Sequence, residues 1–474
     1  MTGPMQRILG LVLGFLHVLT AAAVPDLPDL DPFYTPDNDT WKSKDPGYII
    51  DHRPIKLPSV VPGADSPLTA HQLLYVTRNA TLHKTTSVTT IVIPANPNPN
   101  RVLSYQIAYD APDINCSPSY GLQAGAGFSA AMWNQMQMAF VFPYLQSYQG
   151  PFGKRPILNI PDYEGNNAAF TVGPQSGLHT LDSIQAALNS KHITGILPKA
   201  RTVMFGYSGG ALATEWASEL HAHHTPNLKI AGAAMGGPPP NITNTYINVN
   251  GTQSPLNVWA MLGVMRAFPE VDDHMRKDIL PNYQALFLGP QRRCTKCQLN
   301  APKIEPTANI SSWFEHGDEF LYKFKDILET NGVMGQHIHH GKSPNFPLYI
   351  YQGTKDIITG PIGDTDELYH KYCDKGTKVR YLRYKERDHA ETLIAGMPRA
   401  WSWITAIFNR LPVNECSVED IEPKNSALFD MDGNDLDMEE MEESGDIDNE
   451  PGLKDQTFVD GQSFVPVANG REDL

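Results

Sequence analysis

Residues 202–222, TVMFGYSGGALATEWASELHA, set an apolar run, a glycine-rich turn and a helical stretch end to end, with Ser208 at the apex of Gly206-Tyr207-Ser208-Gly209-Gly210. This is a G-x-S-x-G turn between a strand and a helix, the arrangement called a nucleophile elbow. Chemistry accounts for the glycines. Pushing a serine hydroxyl clear of the chain takes a strained turn whose neighbours have almost no side-chain volume. The following helix aims its free N–H groups and the positive end of its dipole at the place where an oxyanion would form. The plainer alternative is a tight turn with a surface serine. The flanking TVMF and ALATEWASEL favour the catalytic reading.

The chain has 474 residues, 41% of them hydrophobic, enough to bury one large core with an inserted second unit. Arg7, the apolar run from Ile8 to Val18 and Ala21-Ala22-Ala23 mark residues 1–23 as a signal peptide cleaved after Ala23. No later stretch reaches about 18 apolar residues, so no transmembrane segment is expected and the protein is expected to be secreted. Glycosylation sequons at Asn38, Asn79, Asn115, Asn241, Asn250 and Asn309 agree, Asn115 being the weakest because Pro118 follows its serine. Of the cysteines Cys116, Cys294, Cys297, Cys373 and Cys416, an oxidising compartment would pair four and leave one thiol. Cys373 with Cys416 is the favoured pair, since both flank the C-terminal candidate catalytic segment. Cys116 is then left to join Cys294 or Cys297. Cys294-Thr-Lys-Cys297 as a zinc or redox half-site lacks a second ligand pair, so no metal is expected.

Net charge is −15, but residues 419–474 alone hold 18 acidic and 3 basic residues, and the chain before them carries 34 of each. The body is therefore near neutral, which argues against a nucleic-acid partner. The tail, with DMDGNDLDMEEMEESGDIDNE, has no periodicity and reads as disordered.

Residues 24–60, rich in Pro and Asp, read as an irregular surface arm. LLYVTRNA and SVTTIVIPA suggest hairpin partners, and RVLSYQIAYDA a strand entering the core. AFVFPYL and RPILNIPDYEG add apolar runs, and QSGLHTLDSIQAALNS has a helical period. KIAGAAMGG after the elbow is a strand, ended by Pro238-Pro239-Pro240. From 240 to 345 the pattern turns helical without strands. FPLYIYQG, DTDELYHKYC, KVRYLRY and PRAWSWITAIFNRL then alternate strand and helix. This is the plan of an α/β-hydrolase fold, with core 61–239 and 346–416, an inserted all-helical cap 240–345, and a disordered acidic C-terminal tail 417–474.

In that plan the chain order is Ser, then Asp or Glu, then His. Asp356 follows the strand LYIYQG, and His389 follows KVRYLRY on a loop before a helix. The 33-residue gap suits the one helix and one strand between them. His389 would take the proton of Ser208 and return it to a leaving alcohol, while Asp356 would hold the imidazole's tautomer. Asp364 and Asp366 look like caps of the following helix, and Asp388 would point elsewhere along an extended segment. His337-Ile338-His339-His340 lacks an acidic partner at defined spacing and reads as solvated loop histidines. His221, His223 and His224 sit where cations suit the end of the elbow helix. For an oxyanion hole, Gly209 N–H is one donor. The second falls near Tyr109-Asp110, where a carboxylate would repel an oxyanion unless protonated.

The segments SYQIAYDA, PDYEGNNAAFTVGPQSGLHTLDSIQAAL, GYSGGALATEWASEL, YQGTKDIIT and RDHAETLIAG, in this order, make the chain resemble the fungal secretory lipases of the Candida lipase A type over roughly residues 40–416. The resemblance implies an α/β-hydrolase core with a helical cap, no cofactor, and hydrolysis of long-chain acylglycerols by Ser208, Asp356 and His389. It also implies Asp110, protonated, in the oxyanion hole, and disulfides joining Cys116 to a cap-side cysteine and Cys373 to Cys416. The long tail replaces the short C-terminal flap of that family, so lid behaviour does not carry over.

The expected activity is a triacylglycerol lipase acting as a monomer on lipid or other ester substrates, including those at an oil–water interface. An acyltransferase or an esterase of a secondary metabolite would use the same three residues, and an inactive binding protein would keep them idle. Arg471-Glu472-Asp473-Leu474 faintly resembles an ER-retrieval signal, which makes the ER lumen the alternative location. Trp259, Met261, Leu262, Val264, Met265 and Phe268 of the cap would suit an acyl chain, although ordinary helix packing explains each of them as well.

Overall fold

A computed structural model of the chain describes residues 24–59, 66–147, 154–292, 294, 303–339 and 342–423. Ten strands form one sheet: β1 (Ile49–Ile55), β2 (Thr69–Arg78), β3 (Lys84–Ile93), β4 (Pro97–Gln106), β5 (Arg155–Pro161), β6 (Arg201–Tyr207), β7 (Ile230–Gly236), β8 (Leu348–Gly353), β9 (Val379–Tyr384) and β10 (Ser417–Ile421). Their spatial order is β1-β2-β3-β5-β4-β6-β7-β8-β9-β10. The first three strands pair antiparallel, as does β3 with β5. Every pairing from β5 onward is parallel. All carboxyl ends of β4 to β9 therefore open on one rim.

Sequence and burial explain the parallel part. Strands β6, β7 and β8 are nearly continuous apolar runs, as expected of strands covered on both faces. On one face Tyr105, Phe205 and Tyr349 pack beneath Trp403, Ile404 and Ile407 of the helix His389–Phe408. On the other, Val102, Met204 and Ile350 meet Leu181, Leu212 and Trp216 of the helices Gly173–Asn189 and Gly209–His224. Those two helices touch closely because a Cβ on Gly173 would lie 2.0 Å from the Trp216 ring, and one on Gly177 2.6 Å from the Trp216 backbone.

Between β7 and β8 the described residues hold six α-helices, among them Ile242–Val249, Ser254–Ala267, Pro269–Asp278 and Lys325–Gly332. They bury a cluster of their own that includes Val258, Leu262, Phe287, Ile310 and Trp313. The neck of this insertion is closed by the Asn241–Val333 bridge and by Met334 N–H donating to Pro240 O at 2.9 Å. Cys116 pairs with Cys294, tying the chain beyond β4 to the insertion, and Cys373 pairs with Cys416.

Four expectations need correction. The arm 24–60 is irregular only in part, because Ile49–Ile55 pairs with β2 as an edge strand. Residues 417–421, placed in the tail by composition, form β10 against β9. Their charge is matched: Glu419 meets Arg380 at 3.3 Å and Arg399 at 2.9 Å, while Asp420 meets Arg383 at 2.7 Å and Lys385 at 2.9 Å. The closing helix starts at His389 rather than at Pro398. Asp388 accepts from Glu391 N–H at 2.8 Å and donates its own N–H to Glu391 Oε2 at 3.3 Å, a capping box that starts the helix early. Buried Thr392, Gly396 and Met397 before Pro398 and Ala400, Trp403 and Ile404 after it carry the helix through the proline. Finally, Asp364 and Asp366 do not cap their helix, which starts after Pro361. Asp364 accepts from Asn244 Nδ2 at 2.8 Å, and Asp366 faces Arg383 at 3.6 Å. The signal peptide, Cys297, His340 and the tail from 424 lie outside the described residues.

The Cys373–Cys416 bond closes a 43-residue separation just ahead of β10. Replacing both cysteines by alanine is expected to cost about 2–4 kcal/mol, read as a lower urea midpoint. An unchanged midpoint would show that the ion pairs alone hold the edge.

Candidate active site

Ser208 has φ 56° and ψ −123°, a left-handed conformation that costs a non-glycine residue about 1–3 kcal/mol. The surrounding glycines make the turn by close contact. A Cβ on Gly206 would lie 2.1 Å from Gly210 O, and one on Gly210 would lie 2.0 Å from Gln106 O. The elbow is thus pressed onto the end of β4 with no room for a side chain. Ser208 N–H donates to Gly236 O at 2.8 Å, which fixes the serine to the end of β7.

Asp356 and His389 come together on the same rim. His389 Nδ1 lies 2.6 Å from Asp356 Oδ2, and the aspartate side chain is fully buried while the imidazole keeps 15% exposure. Asp356 Oδ1 accepts from Ile358 N–H at 2.9 Å and Thr359 N–H at 3.2 Å, and Gln352 Nε2 reaches Oδ2 at 3.4 Å. This buried carboxylate therefore has donors on both oxygens, the condition for keeping a charge away from water. Because Nδ1 carries the proton toward Asp356, Nε2 is left as the basic nitrogen.

Two contributors had no signal in the sequence. Tyr207 fills a position where the elbow pattern accepts any residue. Its buried hydroxyl donates to His389 O at 2.6 Å, and its ring lies 4.9 Å from the imidazole. Gln352, the last polar side chain of β8, holds Thr359 Oγ1 at 2.6 Å as well as Asp356.

Asp110, in the loop after β4, is buried and has φ 42°. A Cβ on Gly209 would lie 1.9 Å from Asp110 Oδ1, so that carboxyl sits directly over the Cα of Gly209. Tyr163 Oη is 3.5 Å from the same point. Burial, then the charges of Asp110 and Glu164, pushes its phenol well above the usual range and keeps it neutral.

Residues 122–415 match the family model described as secretory lipase. Lipase 6 of Candida albicans is 34% identical over 425 residues, covering 87% of this chain and 89% of its own. The chain belongs to the secretory lipase family. A trichothecene C-3 esterase of Fusarium sporotrichioides is 32% identical over 452 residues, covering 89% of this chain and 94% of its own. The closed-state crystal structure of Candida antarctica lipase A superposes with a TM-score of 0.72 at 25% identity, covering 83% of this chain and 89% of that one. This secretory lipase is a carboxylic ester hydrolase with the α/β-hydrolase fold, and no helix among its described residues is long and apolar enough to cross a membrane.

The remaining candidate residues fall away from this rim. Asn115 is 7% exposed and accepts from Asp29 N–H at 3.3 Å, a place where a glycan does not fit. Asn38 and Asn309 are exposed, and Asn79 and Asn241 are half-buried. Asn250 Nδ2 donates to Asn309 Oδ1 at 3.0 Å and to Ser311 Oγ at 3.1 Å. His221 is no helix-end cation: burial pushes its imidazole down, and Nε2 bonds Leu228 O at 2.7 Å. His224 meets buried Asp182 at 2.7 Å. His337 is half-buried rather than solvated, with His339 exposed beside it.

Asp278, Glu315 and His316 converge on the insertion, where His316 forms an ion pair with Asp278. An apolar cleft, partly open to solvent, lies among Met261, Val264, Val271, Met275, Phe320 and Phe324 of this secretory lipase. None of Ser208, Asp356 and His389 lines it. Leu262, Met265 and Phe268 are packed in the insertion's core instead.

Gly209→Ala would drive a methyl group into Asp110. It is expected to lower kcat for a p-nitrophenyl ester by about 10²-fold, as losing one oxyanion donor does. Wild-type kcat in the variant would sever Asp110 and Gly209 from the chemistry.

Proposed function

We propose that this protein is a secreted serine lipase that hydrolyses acylglycerol esters through an acyl-enzyme on Ser208. The observation that carries the reading is the His389–Asp356 bond at 2.6 Å, on the sheet rim where Ser208 stands in a strained elbow. His389 Nε2 takes the hydroxyl proton as Ser208 Oγ bonds to the ester carbonyl carbon, and the carbonyl electrons move onto oxygen. Gly209 N–H at the start of the elbow helix donates to that oxyanion, and Asp110, whose carboxyl lies over the same glycine, is the second residue assigned to the hole. The intermediate collapses by breaking the carbon–oxygen bond of the ester, and the imidazolium passes its proton to the departing alkoxide. Water then repeats the sequence on the acyl-enzyme, releasing the fatty acid and restoring Ser208. Asp356 stays ionised throughout, orienting the imidazole and stabilising its cation.

Tyr207 is assigned a positioning role. It joins the residue before the nucleophile to the main chain of the base, so elbow and histidine move as one.

A second reading is favoured by the trichothecene C-3 esterase, which aligns over a larger share of this chain than Lipase 6 does. The alcohol half of the substrate would then be a compact secondary metabolite rather than glycerol. The triad chemistry is the same in both readings.

Three measurements test the proposal. Ser208→Ala is expected to abolish p-nitrophenyl ester turnover and fluorophosphonate labelling while leaving the melting temperature within a few degrees, and Asp356→Asn to lower kcat by about 10³–10⁴-fold. Retained labelling in Ser208→Ala would remove the serine from the mechanism. Tyr207→Phe should lower kcat about tenfold at nearly constant KM. Tyr351→Phe, which loses a buried hydroxyl nearby without touching His389, should not, and equal effects of the two would deny Tyr207 its role. Turnover of glycerol esters from acetyl to oleoyl, against an acetylated polycyclic alcohol, separates lipase from metabolite esterase by which series gives the higher kcat/KM.

A further inference from the structure

The helix that starts at the elbow carries two glutamates one turn apart, Glu215 and Glu219, and both are completely buried. Neither takes part in the chemistry proposed for the rim. Glu219 accepts the Gly335 N–H on Oε2 at 2.6 Å and the His337 N–H on Oε1. Glu215 Oε1 accepts the Tyr372 hydroxyl at 2.6 Å, from the helix Ile362–Asp374. No N–H or hydroxyl donor reaches the second oxygen, Glu215 Oε2, which is buried. The Glu219 carboxyl, one turn along the same helix, interacts with the Glu215 carboxyl. Two carboxylates side by side in a dry interior repel strongly, so the pair has to hold a proton between them.

The segment that Glu219 grips is the returning leg of the helical insertion. Residues 333–337 follow the helix Lys325–Gly332 and lie at the neck closed by Asn241–Val333 and by Met334 on Pro240. Gly335 has φ 82°, and a Cβ there would lie 2.8 Å from Lys371 Cδ, so the leg is pressed between the elbow helix and the helix of Tyr372. We propose that Glu215 and Glu219 form a proton-dependent latch that fastens the neck of the helical insertion to the elbow helix and loosens when the shared proton is lost.

The surroundings set the direction. The charged and titratable groups facing the pair are Lys371 and Tyr372 from one helix, His337 from the leg, and His223 with its neighbour His339 beyond it. Lys371 acts only through space, and its ammonium is engaged by Glu367 at 3.0 Å. His337 is pushed down by burial and by His223 and His339, so it offers no fixed positive charge. Burial raises both carboxyls, Glu219 to about 7 and Glu215 further, with the charge of Glu219 adding to the rise. A carboxyl raised in the folded state binds its proton more tightly there than in the unfolded chain. Glu219, once ionised near 7, still accepts the Glu215 proton, so the latch is present from the ordinary glutamate range upward through neutrality and is lost as pH rises beyond about 7 and Glu215 gives up its proton too. The elbow helix would then keep its seat on the sheet while the neck of the insertion frees itself. This inference does not depend on the triad reading, because nothing in it requires turnover.

Amide hydrogen exchange on the full chain at pH 5, 7 and 9, corrected for intrinsic rates, reads the latch directly at Gly335 and His337. Their protection is expected to fall at least about tenfold between pH 5 and 9 while β6 and β7 keep theirs. In Glu215→Gln the amide can donate to Glu219 and still accept from Tyr372, so no proton need be shared and protection should stay constant with pH. The histidines are unchanged in that variant, so a pH response that persists there would assign the effect to them and overturn the proposal. Constant protection in the wild type would overturn it as well. Should Glu215→Gln fail to fold, Glu219→Gln replaces one accepting oxygen by a donor, so Gly335 or His337 should lose protection at every pH, and a wild-type-like response in it would likewise refute the latch.

Discussion

Backbone pressed on backbone at the end of β4 is the constraint from which the rest of the site follows. Gly210 touches Gln106 O and Gly206 touches Gly210 O, and neither contact survives a methyl group. Only with the turn held this tightly does Ser208 stay in a conformation that a free chain would abandon. The same contact brings the loop after β4, and Asp110 with it, against Gly209. Ser208 and the candidate oxyanion donors are therefore not assembled separately. They are two consequences of one close approach between β4 and the elbow.

Much of this was legible in the sequence because it rests on local rules. The elbow announces itself through glycines at fixed offsets, and the parallel strands through apolar runs of the right length. Asp356 and His389 could be found because each follows its strand within a few residues, and strand ends are where an open parallel sheet gathers its side chains. Tyr207 and Gln352 left no such trace. Tyr207 matters through a hydrogen bond to His389 O, far along the chain, and Gln352 through one to Asp356 Oδ2 four residues on, and neither residue type is demanded by a local turn.

The misreadings have distinct physical causes. Local composition made Glu419 and Asp420 look like the start of a solvated tail, yet Arg380, Arg383, Lys385 and Arg399 are gathered opposite them. Pro398 looked like the start of a helix, yet the Asp388–Glu391 capping box begins it nine residues earlier. For the strand, long-range partners overrode a local preference, whereas the helix start was set by a local cap. Charge is the property for which this matters most, because its cost depends on what faces it and sequence order does not disclose that.

Strand β10 has a further consequence. It is short, it carries acidic side chains on an outer edge, and it covers the backbone of β9, the strand that leads to His389. A proteolytic nick between Cys416 and Ser417 would uncover the unpaired amide and carbonyl row of β9 and strip Arg380, Arg383 and Lys385 of their counter-ions. Bare sheet edges recruit other chains. Five residues at the foot of an acidic extension thus act as a selvedge, keeping the fabric of the sheet from being stitched to its neighbours.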